Sequence, residues 1–185
     1  LATHDRNSII MEFPNKNGEV AQLELANRIF FRLYQCANML HKTGSRAVEQ
    51  LGLTTQQWAV LGALSRPEAE RGMGVGELAR YLMVSRQNLS GLVGRMERDG
   101  HLELVADPED RRSRLVRMTA EGSRVWRDEA PALIQNYYEQ ALADFSVGDT
   151  AHLLHYLLKL LDNMQAIDVR SGSAEEAPAE QPKGK

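Results

Sequence analysis

The chain holds a single cysteine, Cys36, in 185 residues. One thiol closes no intrachain disulfide and makes no Cys-rich zinc site. The expected compartment is therefore a reducing cytoplasm. No apolar run approaches the length of a membrane span. The N-terminal residues are polar and mixed in charge, unlike a signal peptide. Neither sign of charge dominates: 22 Lys and Arg face 25 Asp and Glu, a net charge of −3. A uniformly basic, nucleic-acid-coating protein is thereby excluded. The histidines His4, His41, His101, His152 and His155 are scattered. His152 and His155 stand at i, i+3, but no carboxylate is placed to complete a metal-ligand set. Gly-rich phosphate loops, nucleophile elbows and paired carboxylates are also missing. The sequence points to no enzyme, catalytic residue, metal or cofactor.

What is present is helical periodicity, broken once by a hairpin. Residues 1–18 read as a loose arm. Leu23, Ala26, Ile29, Phe30, Leu33, Ala37 and Leu40 recur at helical spacing. Gly44 reads as a break, with Ser45 capping a short continuation that Gly52 closes. Thr54 or Thr55 caps a helix through Trp58, Val60, Leu61 and Leu64, and the stretch from Arg66 to Gly74 reads as a polar connector. Val75, Leu78, Ala79 and Leu82 make a short helix. After a tight turn through Met83 and Val84, Ser85 caps another, carrying Leu89, Leu92, Val93 and Met96. Two strand-like runs, Leu102 to Val105 and Arg114 to Met118, flank the turn Asp107-Pro108-Glu109-Asp110-Arg111-Arg112. Helical patterns return from Val125 to Leu142, with Pro131 as a kink, and from Leu153 to Met164. From Ser171 onward no apolar periodicity remains, and this tail reads as disordered.

The fold expected is mainly α with a small β-hairpin wing: a winged helix-turn-helix lobe at 63–122 and a helical dimerisation lobe from 19–62 and 123–168. The arm at 1–18 and the tail at 169–185 flank them.

If the apolar stripe of the helix after Ser85 faces the domain, then Arg86, Gln87, Asn88, Ser90, Gly91, Arg95 and Arg98 occupy its other faces. Arg, Gln, Asn and Ser can read base edges or hold phosphates, and recognition helices present their first turns to the major groove. Gly91 and Gly94 cost roughly 1 kcal/mol each relative to Ala, which a close approach to DNA would justify. A solvated polar face is the commoner meaning of such a pattern in an isolated helix. The short helix before it and the arginine-rich hairpin after it decide for DNA. Arg111, Arg112 and Arg114 are the expected wing contacts, one of them in the minor groove. Asp107 or Asp110 would brace a neighbouring arginine. Otherwise the hairpin charges form a solvated cluster of little energetic weight.

Leu53-Thr54-Thr55-Gln56-Gln57-Trp58-Ala59-Val60-Leu61, Glu77-Leu78-Ala79, Ser85-Arg86-Gln87-Asn88-Leu89, Asp99-Gly100-His101-Leu102 and the 107–112 turn together resemble the MarR family of bacterial regulators. The likeness runs over roughly residues 20–166. It implies a homodimer whose terminal helices pair about a two-fold axis. It also implies a pseudo-palindromic double-stranded operator with half-sites ~10 bp apart, bound usually as a repressor that a small molecule releases, and nucleoid association when bound. The Leu-rich stripe from Leu153 to Met164 supports a dimer on its own account. An aromatic carboxylate or its thioester is the implied effector, in a cleft lined by Arg28, Phe30, Tyr34, Asn38, His41, Arg46 and Trp58. Phe30, Tyr34 and Trp58 at helical spacing read equally as core, and Arg28, Arg32 and Arg46 are open alternatives for the carboxylate partner. Two other readings stand beside this one. Cys36 would serve an oxidant sensor, although its place well inside a helix without a resolving thiol reads as buried and structural. A winged helix used only for protein contacts would tolerate loss of Arg86 and Arg112.

Overall fold

The computed structural model describes residues 19–110 and 112–175, with side chains from 21 to 170. The expected arm at 1–18, Arg111 and the last ten residues of the tail lie outside the described residues. Seven helices and three strands follow in the order α1 (Glu19–Ala47), α2 (Thr55–Leu64), β1 (Met73–Gly74), α3 (Val75–Tyr81), α4 (Arg86–Arg98), β2 (Leu102–Ala106), β3 (Arg114–Met118), α5 (Ala120–Arg124), α6 (Ala130–Ala141) and α7 (Val147–Glu175). Two compact units divide between Tyr137 and Tyr138.

The first unit is organised around α2. Thr54 begins it with a reciprocal cap: its hydroxyl accepts from the Gln57 N–H, and the Gln57 side chain accepts from the Thr54 N–H at 2.8 Å. Thr55, Gln57, Trp58, Val60, Leu61, Ala63 and Leu64 are all buried, so this helix is enclosed on nearly every side. Leu78 of α3, Leu89 and Met96 of α4, Leu102 of β2 and Val116 of β3 complete the same core. Each such side chain contributes roughly 1.5–3 kcal/mol by leaving water. The lobe boundary drawn at 62/63 from the sequence therefore cuts through a helix that the core holds whole.

Gly44 does not break α1, which continues to Ala47. A Cβ at Gly44 would stand 3.2 Å from the Thr55 hydroxyl, so the small residue permits close crossing of α1 and α2. Ser45 then bonds Thr55 side chain to side chain at 2.8 Å and accepts its N–H at 3.0 Å. Glu49–Leu51 forms the short 3-10 continuation, closed by Gly52 in the left-handed conformation.

The polar connector contains a strand the sequence reading lacked. β1 pairs with β3, Met73 opposite Val116, giving an antiparallel sheet of order β1-β3-β2. Ala69 and Met73 are buried there. Before α6, Val125–Glu129 forms a π-helical turn. Pro131 accounts for it: proline lacks an N–H and crowds the preceding carbonyls, which a wider turn relieves.

In the second unit, Ser146 and Asp149 cap α7 reciprocally, Asp149 N–H to the Ser146 hydroxyl at 3.1 Å and Ser146 N–H to the Asp149 carboxylate at 3.0 Å. The helix continues to Glu175 rather than stopping at 168. Once a helix is nucleated, each added residue needs only its own hydrogen bond, and no proline intervenes before Pro178. No helix among the described residues is long and apolar enough to cross a membrane.

Candidate nucleic-acid interface

α3 ends at Tyr81 and the chain reverses through Met83, whose φ of 54° lies in the left-handed region. The Val84 N–H returns to the Ala79 carbonyl at 3.0 Å. This places Ser85 at the start of α4, where its hydroxyl accepts the Asn88 N–H at 3.2 Å. Leu89, Leu92, Val93 and Met96 are buried, which orients the helix. Arg86, Gln87, Asn88, Ser90, Gly91 and Arg95 are consequently all exposed, as is Ser85. The Ser90 hydroxyl donates to the Arg86 carbonyl at 2.8 Å, leaving it only an acceptor for an outside group.

The wing is a five-residue ladder from Leu102↔Met118 to Ala106↔Arg114. Its two aspartates bond the backbone of the turn. Asp107 accepts the Glu109 N–H and Asp110 the Arg112 N–H, each at 2.9 Å. A carboxylate two residues ahead of an N–H closes a tight turn with little loss of freedom, whereas holding a long arginine fixes many rotors. Arg112 and Arg114 are exposed. Arg114 reaches the Leu104 carbonyl at 3.4 Å. Arg117 pairs with Glu103 directly across the ladder at 2.9 Å. Arg71, passed over in the connector, approaches Glu109 at 4.0 Å, with both side chains highly exposed. Only the β1 pairing brings Arg71 near the wing, so no local signal could have shown it.

Of the expected effector-cleft residues, all but Trp58 lie on α1. Arg28 and Arg46, alternatives for the carboxylate partner, stand 18 residues apart on one continuous helix, about 27 Å at the helical rise. Phe30 is 49% and Tyr34 66% exposed, so neither belongs to the core of the single chain. Asn38 is exposed as well. Trp58 is a core residue, edge-on to Tyr137 with centroids 6.1 Å apart. Cys36 is exposed, not buried. A cavity of about 650 Å³ instead lies between α1, α2 and α4. Leu40, Ala59, Leu82 and Leu92 line it with His41, Gln56, Asn88 and Arg95, so His41 is the one expected cleft residue present there.

A model of the MarR family matches residues 51–113, from the end of the 3-10 turn to the wing. Over 163 residues the chain is 66% identical to the transcriptional activatory protein BadR of Rhodopseudomonas palustris, covering 88% of this chain and 92% of that protein. The chain belongs to the MarR family. It is thus a winged-helix regulator of transcription. Among other MarR-like relatives, the homoprotocatechuate degradative operon repressor of Escherichia coli is 30% identical over 110 residues, 60% of this chain and 72% of that one. The structure of Mycobacterium tuberculosis MosR in complex with DNA superposes with a TM-score of 0.63 at 26% identity, covering 74% of this chain and 96% of that one.

Proposed function

We propose that this MarR-family chain binds a pseudo-palindromic duplex as a homodimer and regulates transcription in response to a small aromatic carboxylate or its thioester. One observation carries the DNA reading: the exposed polar face of α4 begins at a capped N-terminus beside a wing bearing Arg112. Helix amides and dipole favour phosphate there, Arg86, Gln87, Asn88 and Arg95 can reach base edges, and Gly91 permits close approach. The remaining contacts we assign are Ser85 and Ser90 on α4 and Arg111 and Arg114 in the wing.

Dimerisation is supported by exposed apolar side chains on helices of both units. Leu154, Leu157, Leu158 and Met164 on α7 and Ile29, Phe30 and Tyr34 on α1 are each more than 40% exposed in the single chain. A second copy covering them would also supply the two half-sites a palindrome needs.

The cavity beside α4 is the effector site that we favour over the residues chosen from sequence. Its leucine walls suit a ring and Arg95 a carboxylate. The name of the 66% identical relative favours activation over the repression expected from the sequence.

Footprinting on DNA flanking the chain's own gene tests the proposal. Protection of a two-fold symmetric site, changed by one of a panel of aromatic acids and thioesters, is the expected result. Absence of any protected site overturns the DNA reading, and indifference to the whole panel overturns the effector. Transcription from that promoter with and without the protein separates activation from repression.

A further inference from the structure

Among the described residues, His101 is the only titratable side chain that is buried, and the interface proposed above does not use it. It stands where the recognition helix becomes the wing: Gly100, with φ of 79°, precedes it and Leu102 opens β2 after it. Its backbone is fastened on both sides. The N–H donates to the Met96 carbonyl at 2.9 Å, in the last turns of α4. Its carbonyl accepts the Thr119 N–H at 3.1 Å and the Thr119 hydroxyl at 3.2 Å. Gly122 lies so close that a Cβ there would sit 2.1 Å from the same oxygen. α4, the wing and α5 therefore meet at this one residue.

The side chain is less well provided for. Nδ1 is buried and has no hydrogen-bond partner. A neutral imidazole can leave a bare lone pair at that position. An imidazolium carries N–H groups at both nitrogens and would bury a charged donor with nothing to receive it. The charged groups on the elements around it are Arg98 and Asp99 at the end of α4, Glu103 on β2, Arg117 on β3, and Glu121 and Arg124 on α5. Glu103 is paired with Arg117, and Glu121 is held by Arg124 at 2.6 Å. The carboxyl end of α4 and the Glu121 carboxylate both attract a cation. Glu121 feels the charge of His101, though less than its own hydrogen bond to Arg124. The cost of burying a charged donor with no acceptor is relieved when a protonated ring turns out of its pocket.

We infer that His101 is a proton-operated joint between the recognition helix and the wing. The neutral ring keeps α4 and β2 in one relation, and protonation draws it out and loosens the corner. The direction follows from which form fits: DNA affinity is full where the imidazole is neutral and falls as the pH drops through its titration. Histidine ordinarily titrates between about pH 8 and pH 5, within the range a cell can reach. This inference rests on the reading of α4 and the wing as the DNA surface.

The test follows the ring nitrogens of His101 and the backbone amides of residues 96–106 by NMR in the free full chain, from pH 8 to about 5.5. In parallel, affinity for duplex DNA flanking the gene is measured for wild type, His101→Phe and His152→Gln, the last an exposed histidine on α7. The amides should shift with the midpoint of His101, and wild type should lose about tenfold more affinity than His101→Phe, within the usual range of coupling between two sites. His152→Gln should keep the wild-type slope. Equal slopes in wild type and His101→Phe, a slope abolished by His152→Gln, or a ring that titrates without moving the amides would each overturn the joint. Failure of the wild type to bind any duplex at pH 8 would refute the DNA reading instead, and the amide titration would still decide on the joint. If His101→Phe does not fold, His101→Gln takes its place.

Discussion

Arg117 and Glu103 face each other across the wing ladder with their charged groups 2.9 Å apart. The four arginines near the hairpin are therefore not equivalent cations. Arg117→Ala should leave the salt dependence of DNA binding nearly unchanged, while Arg112→Ala should weaken binding and lower the slope of log K against log salt by about 1. Fluorescence anisotropy at several salt concentrations measures both, and the reverse ranking would refute the assignment of the wing tip.

Met83 occupies the left-handed region at the helix-turn-helix corner with its side chain 55% exposed. A non-glycine residue costs roughly 1–2 kcal/mol in that conformation, and glycine offsets part of the relief through its greater unfolded entropy. Met83→Gly should raise stability by up to about 1 kcal/mol in denaturant titration. A clear loss would mean that the exposed methionine contributes more by its contacts than it costs by its backbone.

Gly122→Ala should behave in the opposite way. Alanine improves helix propensity by roughly 1 kcal/mol, but the added Cβ would stand 2.1 Å from the His101 carbonyl, a backbone atom. The clash wins, and a loss of about 2–3 kcal/mol is expected from thermal unfolding. Wild-type stability in this variant would show that α5 can slide away from the corner at little cost.

Arg124 hydrogen-bonds Glu121 at 2.6 and 2.9 Å and also reaches Glu129, so it spans the π-helical turn. The hydrogen bond from Arg124 is the main reason the Glu121 carboxyl is held below its ordinary value of 4.5. The folded-state value is depressed, so the pairing contributes above the ordinary carboxylate titration and is lost as the pH falls through the folded value. A carboxyl NMR titration should show Glu121 returning upward in Arg124→Gln. Identical curves for the two proteins would remove Arg124 as the cause.

Much of the interface was legible because its determinants are neighbours in sequence. Ser85 caps α4 through a residue three positions on, the buried stripe repeats within that helix, and Asp-Pro followed by Asp110 encodes the wing turn. These interactions operate within a few residues, so the sequence alone determined the order of the helices and the hairpin, the exposed polar face of α4 and membership of the winged-helix class. Tertiary structure decided the rest, because it depends on residues far apart in the chain. Met73 joins the sheet only when Val116 is beside it, and that pairing alone brings Arg71 toward Glu109. Helical spacing makes Phe30 and Trp58 look alike, yet only Trp58 found neighbours to bury it. The cavity at Arg95 is shaped by three helices, and His101 became a buried orphan only when α5 closed over it.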